Sequence, residues 1–361
     1  RVGLTLLPGV GPRACRALRE RFGCLAAAWQ ASADELCRVE GVGARLGRQI
    51  AVARDDRRAI EVVAQCRRSG IGLLTFSGDD YPRLLREIPD PPCVLYQRGQ
   101  WLPCDALSIA MVGTRHATQY GLRQAEQLAG SLTRCGLTVV SGLARGIDAA
   151  AHRGALAAGG RTIAVLASSL LRIYPPEHAG MAEQLQSCGA LLSESPLEGR
   201  IHPGAFPRRN RLISGLSLGV VVVEAGERSG ALITARHALE QGREVFAVPG
   251  RIDQRNSRGC HRLLRDGAKL VESVDDVLEE LGPLVEAAPD RDGLTVHHPA
   301  ELRLNDQERA VLDAIESDPT AVDLVVARSR LPVSRVLSTL SALEMRRLIR
   351  RVAGDRVIRT T

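Results

Sequence analysis

Residues 107–148 read LSIAMVGTRHATQYGLRQAEQLAGSLTRCGLTVVSGLARGID, and this stretch decides the fold. The apolar run Leu107 to Val112 predicts a buried strand that ends in Gly113-Thr114-Arg115. A helical pattern follows over Gly121 to Cys135, and a second apolar run, Leu137 to Val140, predicts the next strand. That strand ends in Ser141-Gly142-Leu143-Ala144-Arg145-Gly146-Ile147-Asp148, which opens another helix. Two strands apolar on both faces, joined by a crossover helix, imply a parallel sheet covered on each side. Both loops offer backbone amides and small hydroxyls at helix starts, where the helix dipole favours an anion. Neither carries the G-K-[ST] of a Walker loop, and neither is a G-x-G-x-x-G fingerprint in its proper place. Standard dinucleotide binding is therefore not expected, despite the fold.

Working outward, four more strands are predicted at Thr162 to Leu166, Ala190 to Leu192, Leu218 to Val223 and Glu244 to Val248. Helical stretches at Asp148 to Ala158, Leu232 to Gln241 and Gly259 to Arg265 alternate with them. The fold class is α/β, a doubly wound, Rossmann-like parallel sheet spanning residues 71–281, whose ligands would sit at the carboxyl ends of the strands. The most basic segment, Phe206-Pro207-Arg208-Arg209-Asn210-Arg211 continuing to Ser217, lies between two strands, with Arg200, His202 and Pro203 before it. It reads as a basic loop leading into an apolar helix. Arg208, Arg209 and Arg211 cannot all be buried unpaired. One is expected to be structural and the others exposed for phosphate, with Asp148, Glu194 and Glu224 as available carboxylates. A further loop from Glu224 to Thr234, containing Gly226, Ser229 and Gly230, again ends a strand and starts a helix. Convergence of these loops on one edge of the sheet predicts a phosphate-lined groove.

Residues 1–70 read as short helices with two glycine hairpins, Leu7-Pro8-Gly9-Val10-Gly11 and Val39-Glu40-Gly41-Val42-Gly43. Each precedes an Arg-bearing helical segment, Pro12 to Phe22 and Ala44 to Ala53, so the region reads as a helix-hairpin-helix (SAM-like) domain. Such hairpins can meet a DNA backbone or simply pack two helices. A Pro-bearing linker is expected over 282–303. Residues 304–361 carry three helices, Asp306 to Ile315, Ala321 to Arg328 and Val333 to Met345, then a hairpin about Gly354-Asp355. That is the plan of a winged-helix domain, which binds duplex DNA or a protein.

The 361 residues carry a net charge of +7 and a pI near 9.2, which favours polyanionic partners. Lys269 is the sole lysine; arginine supplies every other basic side chain, with a planar donor fork suited to phosphate oxygens. Nine scattered cysteines form no C-x-x-C pair, which argues against a disulfide framework or a zinc site and suits a reducing cytoplasm. No apolar run approaches the roughly 20 residues of a membrane span. Arg1 to Leu7 lack a signal-peptide plan, so export is not expected, and an opening Arg1 reads as a trimmed chain.

Taken together, these motifs resemble the DNA-processing protein A (DprA, also called Smf) family. The matching run begins at Asp80-Tyr81-Pro82-Arg83-Leu84-Leu85, Ile88-Pro89-Asp90-Pro91-Pro92 and Leu95-Tyr96-Gln97-Arg98-Gly99. It continues through Val-Gly-Thr-Arg at 112–115, Ser141 to Asp148 and Phe206 to Ser217. It closes with Gly230-Ala231-Leu232-Ile233-Thr234-Ala235, Val248-Pro249-Gly250 and Gly267-Ala268, covering the whole central domain. The resemblance implies a cytoplasmic, homodimeric, non-enzymatic protein without cofactor or metal. It would coat incoming single-stranded DNA and help load the RecA recombinase in natural transformation. It also implies that Arg115 contacts the DNA backbone, that Arg208, Arg209 and Arg211 line or brace the same pocket, and that Gly142, Arg145 and Gly230 form its walls. Gly113, Thr114, Ser141, Gly146, Arg200 and Asn210 complete the expected DNA-binding set. Two departures stand out: Tyr174-Pro175-Pro176-Glu177-His178 lacks a basic residue expected there, and His261 stands where relatives often carry asparagine.

Single-strand binding usually adds base stacking. The scarce aromatics leave Tyr81, Tyr96, Tyr120, Tyr174 and Phe206 as candidates, more of them expected in the core than at the surface. Two rivals remain open. One is a nucleotide-binding, phosphoribohydrolase-like enzyme, although the loop from Glu224 lacks the P-G-G-x-G-T-x-x-E stretch of that class. The other is a duplex-DNA-binding adaptor acting through Arg346, Arg347, Arg350, Arg351, Arg356 and Arg359 of the winged domain.

Overall fold

A computed structural model describes the chain except residues 1, 8, 56, 200, 285, 317 and 361. Its centre is a nine-stranded sheet: β1 Gly72–Thr75, β2 Val94–Gly99, β3 Ser108–Val112, β4 Thr138–Ser141, β5 Thr162–Leu166, β6 Ala190–Ser193, β7 Gly219–Val222, β8 Glu244–Ala247 and β9 Lys269–Leu270. The spatial order is β1-β2-β6-β5-β4-β3-β7-β8-β9. All pairs from β6 to β9 run parallel, while β1 and β2 add an antiparallel margin. The six strands predicted from sequence are present with ends shifted by at most one residue.

Every residue of β3 to β7 is buried, as a sheet covered on both faces requires. Alternation across the pleat sends Ala110 and Val112 into one layer with Leu212, Ile213 and Ala235. Ile109 and Met111 enter the other, with Leu128, Leu132, Ile147 and Ala151. Each such aliphatic side chain contributes about 1.5–3 kcal/mol when fully buried. The chain leaves β3 toward β4 on one side and returns to β7 on the other. The carboxyl ends of β3 and β7 therefore part at a topological switch point, where open α/β sheets hold ligands.

One expectation is corrected here. The segment Ala205–Gly215 is a helix, not a loop. Pro207 stands in its first turn, where the missing amide would have had no partner and the fixed φ suits a helix. Steps of about 100° per residue then send its three arginines in different directions.

At the N-terminal end, Leu4, Val10, Leu18, Leu36, Val42 and Ile50 share a core with Cys93 and Val94 of the central domain. The helix Arg58–Arg68 places Val62 and Cys66 against Tyr96, Leu166 and Leu185 of that domain. Within the expected linker, Ala288–Pro289 pairs with Thr295–Val296, and Ala288 and Val296 join the central core. The C-terminal region forms helices Asp306–Asp313, Val322–Ser329 and Val333–Met345, with a hairpin of Ile349–Val352 and Arg356–Arg359. Gly354 and Asp355 both take positive φ at its turn. At the far edge of the main sheet, the Lys269 ammonium lies 3.0 Å from Glu280.

Candidate nucleic-acid interface

A pocket of ≈ 410 Å³ opens at the switch point, between the ends of β3 and β7. Its first wall is Gly113-Thr114-Arg115. A side chain at Gly113 would collide with Ile147 and the Glu224 carbonyl, so only glycine lets the two strand ends approach. The Thr114 amide donates to the Glu224 carbonyl at 2.7 Å, and the Ile147 amide donates to the Thr114 carbonyl at 3.2 Å. The buried Glu224 carboxylate accepts from the Thr118 amide at 2.9 Å and hydroxyl at 2.5 Å, tying the β3 loop to the helix Gln119–Arg134.

The opposite wall is the loop from Gly226 to Gly230. Gly230 is exposed at the start of the helix Ala231–Glu240, whose first amides are capped from Ser229: Ala231 donates to its hydroxyl at 3.3 Å and Leu232 to its carbonyl at 3.1 Å. Asn210 donates from Nδ2 to the Gly230 carbonyl at 3.2 Å and so braces this wall from the helix Ala205–Gly215. Asn256 donates to the His116 carbonyl at 2.8 Å and closes the rim.

Over the mouth lies Arg115. It is exposed, and its guanidinium carbon sits 4.7 Å from the centre of the Phe206 ring. No carboxylate pairs with it among the described residues, so its charge is available. Tyr174 meets Phe206 edge-on at 5.7 Å, giving an aromatic step beside the arginine. Cation–π contact of this kind holds the guanidinium in place without neutralising it.

The remaining arginines divide differently from the expectation of one structural and two exposed. Arg209 is buried, donating to the Gly142 carbonyl at 2.6 Å and to the Val165 carbonyl. Burial pushes its guanidinium down to about 10, opposed by the Asp148 charge, and it remains cationic near neutral pH. Burial likewise pushes the Asp148 carboxyl up, against the pull of Arg209. Arg211 is buried between Glu194 at 2.6 Å and Asp90 at 3.2 Å. Only Arg208 is exposed, and it shares Glu194 at 2.9 Å. Two of the three arginines are therefore structural. A helix carries each around its circumference, and the layer beneath supplies carbonyls and carboxylates for those that point inward.

The structure brings Gly113, Thr114, Arg115, Arg209, Asn210 and Gly230 to one pocket. Gly142 and Arg145 lie in an adjoining cleft that shares Arg115, Phe206 and Arg209 with it. Arg208 faces a third hollow, between its helix and the first glycine hairpin of the N-terminal region. Ser141 is buried and donates to the Met111 carbonyl at 2.6 Å, so its hydroxyl is spent within the sheet. Gly146 takes φ +75°, and a side chain there would strike the Thr114 carbonyl. Arg200 lies outside the described residues. The segment Tyr174 to His178 supplies Glu177 instead of a base, and Glu177 pairs with Arg145 at 2.6 Å. His261 Nε2 lies 2.9 Å from the Gly250 carbonyl. Sequence reasoning placed Ser229 in a groove-forming loop but did not single out Arg228 or Asn256 as lining residues. Arg228 stands in that same loop, two residues before Gly230, and was within reach, whereas nothing local marks Asn256. Of the aromatic candidates, Tyr81 and Tyr96 are buried, while Tyr120 and Tyr174 are exposed.

Residues 72–282 match the family described as DNA recombination-mediator protein A, and residues 296–355 match the DprA winged helix domain. The Synechocystis protein Smf is 35% identical over 378 residues, covering 96% of this chain and 95% of that one. The DNA processing protein DprA of Bacillus subtilis is 45% identical over 221 residues, 61% of this chain and 74% of its own length. Among solved structures, DNA processing protein A from Streptococcus pneumoniae superposes with a TM-score of 0.68 at 33% identity, covering 78% of this chain and 95% of that one. DNA processing protein A from Helicobacter pylori, described by its single-stranded DNA binding mode, gives 0.52 at 31% identity over 57% of this chain and 93% of that one.

Proposed function

We propose that this chain, which belongs to the DNA recombination-mediator protein A family, binds single-stranded DNA through the switch-point groove without reading its sequence. The observation that carries this reading is Arg115: an exposed, unneutralised guanidinium held over Phe206 at the mouth of the switch-point pocket. Phosphate would meet Arg115 and the Gly230 loop, and bases would meet the ring of Phe206. Such binding gains from counterion release and weakens steeply with salt. The single-strand binding described for the Helicobacter pylori relative supports the same reading. In this proposal the chain acts in the cytoplasm as a homodimer joined through the central domain. It protects incoming DNA and loads the RecA recombinase in natural transformation, with binding as its role and no catalysis. No described helix is long and apolar enough to cross a membrane.

The winged-helix rival is weakened by one observation. Of its six candidate arginines, Arg346, Arg351 and Arg359 are bridged to Glu308, Glu344 and Asp313. Fluorescence anisotropy with a labelled single strand and its duplex, at two salt concentrations, tests the proposal. Preferential, salt-sensitive single-strand binding that Arg115→Ala cripples is expected. Equal duplex binding, untouched by that change and lost on truncation near Leu281, would move the function to the winged domain.

A further inference from the structure

The third helix of the winged domain, Val333–Met345, buries Val336, Leu340 and Leu343 in that domain's core. Its outward face is apolar as well: Val333, Leu337 and Met345 are 56%, 43% and 79% exposed. Steps of four residues set these three on one ridge, with Ser341 as a notch between Leu337 and Met345. The Ser338 hydroxyl donates to the Arg335 carbonyl at 2.9 Å and the Ser341 hydroxyl to the Leu337 carbonyl at 3.2 Å. Both donors are therefore spent on the helix itself. The helix holds one cation, Arg335, exposed on one flank of this face and without an ion pair among the described residues. On the other flank Glu344 holds Arg351 of the hairpin at 3.2 Å, and Arg351 also donates to the Ser341 hydroxyl at 3.2 Å.

A row of exposed aliphatic side chains marks a docking surface, and charge selects what covers it. From Leu324 to Thr361 the chain carries nine arginines against two carboxylates. A second copy of this face would set those arginines against one another, which disfavours self-pairing. Duplex DNA fits the sign of the charge but not its placement. Glu344 borders the helix face, and Asp355 stands exposed at the hairpin turn, where phosphates would come nearest. A helix that reads base edges also carries Arg, Asn or Gln where Val333, Leu337 and Met345 stand here. We propose that this face docks an amphipathic helix of another protein, apolar along one stripe and acidic on its flanks. The partner's apolar ridge enters the notch at Ser341, as ridges enter grooves between packed helices. Its carboxylates meet Arg335 on one side and the half-exposed Arg351 on the other. The row from Val333 to Met345 spans about 18 Å, so roughly three turns of partner helix cover it. The inference stands independently of the groove in the central domain.

The test uses the full chain and three labelled probes: a synthetic helix of leucines and glutamates set for one apolar stripe, the same composition scrambled, and duplex DNA. In fluorescence anisotropy the patterned helix is expected to bind about tenfold tighter than the scrambled one, because apolar anchors set the affinity. Leu337→Ser combined with Met345→Ser should weaken the patterned helix about tenfold and leave single-strand binding unchanged. Arg335→Glu should weaken it about three- to tenfold, more at low salt than at high. All three side chains are exposed, so thermal midpoints should match the parent's. If the serine variant melts early, Arg335→Glu decides alone, and unchanged binding by it overturns the proposal. Equal binding of the scrambled peptide reduces the face to unspecific charge and overturns it too. So does duplex binding that the serine variant weakens, which makes the helix a nucleic-acid contact, or a dimer that this variant dissociates, which gives the face to a second copy. Absence of binding to the patterned helix also sinks it.

Discussion

The loops after β3 and β4 are written in nearly the same letters, Gly113-Thr114-Arg115 and Gly142-Leu143-Ala144-Arg145, yet they end in opposite states. The first is open: Arg115 is exposed, unpaired and laid over an aromatic ring. The second is closed from beneath and above. Arg209 fills the space under Gly142 and takes its carbonyl, while Glu177 holds Arg145. Leu143, buried and with φ +56°, occupies a left-handed conformation that its neighbours must impose. A strained non-glycine residue of this kind costs on the order of 1–3 kcal/mol. Loop chemistry alone does not decide which loop meets a ligand. What packs behind the loop decides it, and here that is the helix Ala205–Gly215, which reaches one loop with a buried guanidinium and the other with an aromatic face.

The sharpest way to break this contrast is Arg209→Ala. It strips the Gly142 and Val165 carbonyls of their donor and takes from buried Asp148 the larger of the two positive charges acting on it, leaving Arg115, so a loss of about 3–5 kcal/mol is expected in denaturant unfolding. A native-like midpoint would show that the second loop does not depend on its plug.

Acid attacks the same closed side. His152, on the helix that the second loop opens, is fully buried. The Thr162 hydroxyl spends its proton on the Val139 carbonyl, so it accepts from His152 Nδ1 at 2.7 Å and the ring is neutral. Burial holds its pKa down to about 3, from 6.5. The unfolded chain therefore binds the proton first: stability is complete above pH 6.5 and falls as pH drops toward 3. About 3 kcal/mol should be gone by about pH 4, and His152→Asn should flatten that dependence in thermal melts.

The open side should respond in the other currency. Arg115→Ala is expected to leave stability within about 0.5 kcal/mol, because an exposed side chain is removed. It should weaken single-strand binding about ten- to a hundredfold, as loss of a charged hydrogen-bonding group does. If melting falls as much as binding, the first loop is structural after all. The smallest effect is reserved for Glu177→Gln, which releases Arg145 toward the groove. Affinity should rise about two- to threefold and the salt slope steepen by about one phosphate contact. An unchanged slope would mean that Arg145 points away from DNA even when free.

Much of this was legible in the sequence because parallel strands buried on both faces announce themselves as unbroken apolar runs. The margin strands were not. β2 runs Val94-Leu95-Tyr96-Gln97-Arg98-Gly99, apolar at its start and polar at its end, and β1 is only four residues of an antiparallel pair. β9 has two residues and is held by register with β8 alone. The groove was located from its loops, but its inner lining was not. Whether Arg209 points into the fold or out of it depends on carbonyls of residues 142 and 165, far away in the chain. Likewise Asn256 reaches the rim from 140 residues beyond its partner His116. Such contacts have no local signature.

Lys269, alone of its kind, sits on the edge strand across the sheet from β1 and β2, paired with Glu280 and outside every wall of the groove. Amine-directed reagents thus find one internal anchor point, while dicarbonyl reagents seek guanidinium groups, including those at the mouth. The molecule can be tethered to a surface or given a dye through that one amine with the switch-point groove untouched, and the two chemistries used in turn would map its outside by arithmetic.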